Sequence, residues 1–135
     1  METLFPPLSP EDVRRMGILE LAYFGDTVCD LFVRHSLVGR GMSVRQMHRQ
    51  AVALVNAQAQ ADAVERIRPL LNEDEAEVLR RGQNAKAHHA APRGVDPRIY
   101  QLATAFEVLL GHLYLTGQAE RLQQLMRAAL EDQHE

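Results

Sequence analysis

The sequence predicts an all-α protein built as one compact domain. Apolar residues recur at helical spacing almost throughout, and no run of β-branched residues alternates with period two for long enough to need a sheet. Capping and stop residues punctuate the chain at helix-length intervals. At 135 residues the expectation is a single domain over residues 1–135, with no room for an appended binding module.

After a loose segment from Met1 to Leu8, Ser9 can cap a short helix whose first turn carries Glu11 and Asp12, acids suited to the positive end of a helix dipole; it ends near Gly17. A strong helix is expected from about Leu19 to Val38, closed by a turn at Gly39 to Gly41. Ser43 caps the next, from about Val44 to Leu54, and Asn56 restarts a helix through an Ala-rich segment to Arg68, where Pro69 ends it. Asn72 with Glu75 three residues later is a capping-box pattern that opens a helix to about Arg81, with Gly82 expected to stop it. Residues 82–97, GQNAKAHHAAPRGVDP, hold two prolines and two glycines and are expected to form the main internal loop, the kind of segment that carries function on a rigid scaffold. From about Pro97 to Leu115 runs the most apolar helix, expected at the centre; Gly117 breaks it, and a last amphipathic helix covers about Ala119 to Leu130.

Composition narrows the function classes. The uncharged stretch from Val108 to Ala119 is too short to cross a bilayer, so no membrane role is expected. The first residues, METLFPPLSPEDV, place prolines and acids where an export signal needs basic and then apolar residues; with Cys29 as the only cysteine, this points to a reducing cytoplasm. The formal net charge of −3 argues against a polyanionic partner, but its distribution argues for one. Between Leu31 and Ala61 stand Arg34, Arg40, Arg45 and Arg49 with no acid; between Val78 and Tyr100 stand Arg80, Arg81, Lys86, Arg93 and Arg98 against Asp96 alone. Arginine's planar fork grips phosphate through paired hydrogen bonds. Genomic base composition is an equal explanation for the arginine content.

Two acids stand where helices disfavour them. Asp26 lies mid-helix, with Ala22, Tyr23, Cys29, Asp30 and Val33 at neighbouring spacings, so its face is partly apolar. Aspartate is a poor interior helix former, Asp30 one turn on repels it, and Gly25 beside it costs roughly another 1 kcal/mol relative to alanine. Glu107 is the only acid between Asp96 and Glu120, set among Ala103, Phe106, Val108, Leu109 and Leu110, with Gly111 one turn beyond. An isolated buried carboxylate costs several kcal/mol unless protonation, an ion pair or a metal relieves it. The glycine beside each acid would let two helix backbones cross closely and bring the carboxylates together. A divalent cation would resolve their repulsion, and oxygen-only ligation completed by water suits Mg²⁺, with Mn²⁺ as a substitute. On composition and spacing alone, a solvated aspartate or a buried arginine partner explains these acids as well as a metal site does.

The segments LAYFGDTVCDLFVRHSL (21–37), RRGQNAK (80–86) and TAFEVLLGHLYLTG (104–117) together resemble the Mini-ribonuclease III family, the short bacterial relatives of ribonuclease III without a double-stranded RNA-binding domain. A GD pair in an amphipathic helix followed about eighty residues later by FExLxGxLYLxG is strongly specific, and the similarity runs from about Leu19 to Leu130. The resemblance implies an all-helical homodimer that cleaves double-stranded RNA with Mg²⁺ in the cytoplasm, leaving 5′-phosphate and 3′-hydroxyl ends. It further implies a role in maturing large-subunit (23S) ribosomal RNA precursor, with room for a ribosomal protein as helper. The family's catalytic, metal-binding acids fall on Asp26 and Glu107. Larger ribonucleases III carry further acids at positions corresponding to Leu19, Ala22 and Thr104, where this chain has none, so few protein ligands and a heavily hydrated ion are expected.

In RRGQNAK the family often has a third arginine where this chain has Gln83; Arg80, Arg81, Asn84 and Lys86 are expected against the RNA backbone, with Arg49 and His48 as further contacts. The plainer reading of the segment is a helix terminus with basic residues at its negative dipole end. Duplex RNA is read by shape through phosphates and 2′-hydroxyls, so the 5% aromatic content is no obstacle. A cyclising histidine mechanism is disfavoured, because the side chains of adjacent His88 and His89 diverge and such chemistry needs flexible RNA. The alternative of a different class is a catalytically inert helical RNA-binding or ribosome-associated module, for which Asp26 and Glu107 would be unnecessary.

Overall fold

The computed structural model of the chain describes residues 4–85 and 91–131. Among the described residues there are seven α-helices and no strand: α1 (Pro10–Arg15), α2 (Ile18–Leu37), α3 (Val44–Val55), α4 (Ala57–Ile67) running into a 3₁₀ turn (Arg68–Leu70), α5 (Glu73–Asn84), α6 (Pro97–Leu115) and α7 (Ala119–Glu131). The expected all-α class is what the structure has.

The caps legible in the sequence operate as hydrogen bonds. Ser9 accepts from the Asp12 amide at 3.1 Å, and Asn56 accepts from the Ala59 amide at 2.9 Å. Ser43 with Gln46 and Asn72 with Glu75 form reciprocal capping boxes, each satisfying amides that a helix start leaves without partners. Between α2 and α3 the chain reverses at Gly39 and Gly41, both at positive φ (81° and 78°), a region open to glycine at no steric cost.

Helix α6 is the axis of the molecule. Leu102, Ala105, Phe106, Val108, Leu109, Leu110 and Leu113 are all buried, so the helix is apolar around most of its circumference, and α2, α4, α5 and α7 pack about it. Helix α3 packs on α2 and α4.

One boundary differs from expectation. Gly82 does not stop α5, which continues to Asn84. A Cβ at Gly82 would lie 2.9 Å from the Ala105 Cα and 3.0 Å from the Val108 Cβ, so the glycine marks the point where α5 crosses α6. Close packing there outweighs the roughly 1 kcal/mol that glycine costs a helix interior. Gln83 and Asn84 are therefore helical rather than part of the loop.

A buried ion pair fastens α5 to α7. The Glu75 side chain, 4% exposed, receives Arg121 Nε at 2.8 Å on Oε2 and Arg121 Nη2 at 2.9 Å on Oε1; Nη2 also donates to the Leu70 carbonyl. The Arg121 hydrogen bonds hold the Glu75 carboxyl below its ordinary range, against the opposing effect of burial. A group depressed in the folded state stabilises the fold above its unfolded pKa, and that contribution is lost as pH falls through its folded value. Arg121→Met is expected to cost about 3 kcal/mol by stranding Glu75, with the deficit shrinking in acid. Urea unfolding of both proteins at neutral and acid pH measures this; an equal deficit at both would remove the pair as its source.

Candidate active site

Helices α2 and α6 approach closely enough for their backbones to touch, and glycine permits it on both sides. A Cβ built on Gly25 would stand 1.7 Å from the Glu107 carbonyl oxygen, and one on Gly111 would stand 2.5 Å from the Leu21 carbonyl oxygen. Each glycine thus lies against the other helix, Gly25 beside Asp26 and Gly111 one turn beyond Glu107. Phe24 and Tyr114 flank the crossing, their ring centroids 5.3 Å apart at 58°, a tilted arrangement that aromatic pairs favour.

This crossing brings together the two acids singled out in the sequence. Asp26 is exposed on α2, Glu107 is half-buried on α6, and the crossing sets their carboxyl groups close enough for each to feel the other's charge. Burial first, and then Asp26, push the Glu107 carboxyl up to about 8. Without a cation the pair holds a proton at neutral pH.

The donor set fits a hard divalent cation. Two carboxylates held close together, one of them costly to ionise alone, present the repulsion that a metal between them removes. The nearby Cys29 thiol, pushed up to about 12 mainly by burial, stays protonated and offers no thiolate that would favour a softer metal. One turn before Asp26 lies buried Ala22, and one turn before Glu107 lies buried Thr104, so neither helix adds an acid there. Among the described residues no group of three or more His, Cys, Asp or Glu gathers, and the remaining coordination falls to water and substrate oxygens.

Sequence reasoning missed Gln60. It is 4% exposed on α4, with Nε2 donating to the Cys29 Sγ at 3.7 Å, and its amide acts to lower the Glu107 carboxyl against burial and Asp26. Its signal was available: Gln60 shares a helix face with Val64 and Ile67, both fully buried, so it is a polar residue in an apolar stripe, as Asp26 and Glu107 are.

The residues expected to contact RNA are placed on two separate helices. Arg80 is exposed on α5 and paired with Glu77, Nε to Oε2 at 2.9 Å. Arg81, half-buried, lines a cleft with Arg14, Asp74, Glu75 and His112, while Asn84 is exposed at the last turn of α5. His48 and Arg49 are exposed on α3, with His48 lining an apolar groove beside Arg34, Val38 and Met47. Lys86, with His88 and His89, lies outside the described residues. No helix among the described residues is long and apolar enough to cross a membrane.

Known proteins resemble this chain along most of its length. The family model described as the ribonuclease III domain matches residues 19–118, a span that contains both carboxylates and both glycines of the crossing. The chain is 48% identical over 112 residues to a Mini-ribonuclease 3 of Symbiobacterium thermophilum, covering 82% of this chain and 85% of that one. It is 40% identical over 125 residues to a Mini-ribonuclease 3 of a Thermoanaerobacter species, covering 92% and 87%. A crystal structure of a protein from Fusobacterium nucleatum superposes with a TM-score of 0.81 at 26% identity, covering 90% of this chain and 98% of that one.

Proposed function

Because the chain belongs to the ribonuclease III family, in its Mini-ribonuclease 3 branch, we propose that it is a Mg²⁺-dependent endoribonuclease that cleaves double-stranded RNA with Asp26 and Glu107 as its metal-binding, catalytic carboxylates. The observation that carries this reading is the close approach of those two acids across a helix crossing that Gly25 and Gly111 make possible. Nothing in a merely structural helix pair needs two carboxylates to meet.

Asp26, open to solvent, offers the pair to an approaching phosphate, while Glu107 is anchored in the helical core. A divalent ion held there would lower the pKa of a bound water and neutralise charge growing on the phosphoryl oxygens. The chain's own part is to bind and orient: α2 and α6 hold the two oxygen donors rigidly, and basic side chains draw in the duplex. The products are a 5′-phosphate and a 3′-hydroxyl. The substrate we infer is large-subunit ribosomal RNA precursor in the cytoplasm, with a ribosomal protein as a helper that presents it.

One such site cuts one strand, and a twofold homodimer supplies two facing opposite strands. Support for that assembly is an exposed stripe along α2, Leu19 (41% exposed), Tyr23 (83%) and Leu31 (55%), at helical spacing next to Asp26. Sedimentation of the protein at micromolar concentration tests it, and a monomer would oppose it.

Incubating the protein with duplex RNA and Mg²⁺ tests the activity. Cleavage to 5′-phosphate ends is expected; binding without cleavage would favour the inert RNA-binding module instead. Replacing Arg81 or Lys86 by alanine is expected to weaken RNA binding and to lower the salt slope by about one for each phosphate no longer neutralised. An unchanged slope would remove that residue from the interface.

A further inference from the structure

We propose that the cleft between α1, α5 and α6 is a phosphate-binding site separate from the paired carboxylates, in which Arg14, Arg81 and His112 together hold the phosphate group of a phosphate monoester. The cleft has a volume of about 460 Å³, and all three side chains line it. On α6, His112 stands five residues beyond Glu107, which at 3.6 residues per turn is about 140° round the helix, so the cleft and the carboxylates face different ways.

The three groups come from three helices, each held in place by the fold. Arg14 follows Val13, whose fully buried side chain pins the short helix α1 to the core. Arg81 precedes Gly82, where α5 crosses α6 at its closest. His112 lies in the last turn of α6, its carbonyl taken up by the Thr116 amide at 3.0 Å and the Thr116 hydroxyl at 2.7 Å.

Carboxylates also line the cleft, and their charges are mostly spent. Both Glu75 oxygens accept from Arg121, and both Glu77 oxygens accept from Arg80. Among the described residues no hydrogen bond or ion pair engages the guanidinium of Arg14 or of Arg81, and Arg81 is half-buried. A cation drawn partly out of water without a partner is costly, and an anion in the cleft relieves that cost. Asp74, exposed in the first turn of α5, is the one acid of the lining without an arginine of its own.

The field inside the cleft agrees with this count. Burial first, and then the charges of Arg81 and Arg14, hold the His112 imidazole below its ordinary range, while Asp74 and Glu75 pull the other way by less. Two guanidinium forks and a ring N–H match the charge and the several acceptor oxygens of a phosphate monoester, whereas a carboxylate is satisfied by one fork. Inorganic phosphate fills only part of the cleft, which leaves room for the remainder of an ester, with Asp74 as an acceptor for its hydroxyl groups. The monoester has two possible sources, the 5′-phosphate end of an RNA strand and a free nucleotide.

Titration of the full chain with inorganic phosphate tests this, with divalent metal chelated and ionic strength held constant with chloride. Calorimetry and the ring resonances of His112 are the two readouts. A Kd of about 1 mM or tighter is expected, with the His112 resonances shifting along the same curve. Arg14→Gln and Arg81→Gln are each expected to weaken binding about tenfold, and Asp26→Asn to leave it unchanged. A wild-type Kd weaker than about 10 mM, or His112 resonances that do not move, would overturn the proposal. So would arginine variants that keep their wild-type melting temperature and bind phosphate within about twofold of wild type. Competition against inorganic phosphate then separates the sources: a short duplex with 5′-phosphate ends displaces it and the same duplex with 5′-hydroxyl ends does not, or a nucleoside 5′-monophosphate displaces it and neither duplex does. Because metal is absent, phosphate binding by a wild type that fails to cleave RNA would leave this site standing and sink the proposed function alone.

Discussion

Asp26→Asn and Glu107→Gln are each expected to abolish cleavage of duplex RNA, with a loss of roughly 10³-fold or more in kcat, while the helical fold and the proposed dimer survive. Both side chains are replaced by amides of the same shape, so packing at the α2–α6 crossing is kept and the change is one of charge. Two donors acting as one site give non-additive losses, and the double variant is expected to be no slower than the worse single variant. Single-turnover cleavage at saturating RNA and Mg²⁺ is the measurement. Near-normal turnover in either variant would show that the site lies elsewhere.

Stability should move in the opposite direction. Burial and Asp26 raise the Glu107 carboxyl to about 8, so between its ordinary unfolded value and 8 the folded protein binds the extra proton. The metal-free protein therefore loses stability as pH rises through that window. Glu107→Gln removes the penalty and is expected to gain roughly 1–2 kcal/mol over metal-free wild type at pH 8 and little at pH 5. By the same linkage, metal must displace this proton, so Mn²⁺ binding is expected to strengthen from pH 6 to pH 8 and to release up to one proton, measurable by calorimetry in buffers of different ionisation enthalpy.

Gly25→Ala is expected to be the most damaging substitution of a single small residue. Alanine would favour the helix by roughly 1 kcal/mol in isolation. Here its methyl group would stand 1.7 Å from the Glu107 carbonyl oxygen, a backbone atom that cannot swing aside. The helices would have to separate, at a cost of about 3 kcal/mol or more, and the carboxylates with them. A fall in the urea midpoint together with loss of Mn²⁺ affinity is expected. Gly17→Ala is the control: nothing lies within 4 Å of the added Cβ, and its effect should stay within about 1 kcal/mol. Equal effects at the two glycines would refute the close-crossing account.

The helices are legible in the sequence because their signals are local. Asn72 and Glu75, or Ser43 and Gln46, lie three residues apart, and a capping box needs nothing from the rest of the chain. Gly82 misleads for the complementary reason. Whether a glycine ends a helix or lets a neighbour come close depends on what lies opposite, and Ala105 and Val108 are more than twenty residues away. Asp26 and Glu107 stand out because each breaks the apolar pattern of its own helix beside a glycine. Gln60 breaks the pattern of α4 in the same way, but amides are common on solvated helix faces, and only its burial distinguishes it.

By itself, the sequence determined that this protein is helical, where most of its helices begin, and which two acids are out of place, since these follow from periodicity, caps and the cost of an acid among apolar neighbours. The tertiary structure alone decided that the two acids come together, that the glycines are the points of closest approach, and that Gln60 of a third helix is buried beside Cys29. Contacts between residues eighty positions apart are set by the packing of whole helix faces, and no local pattern of residues encodes them.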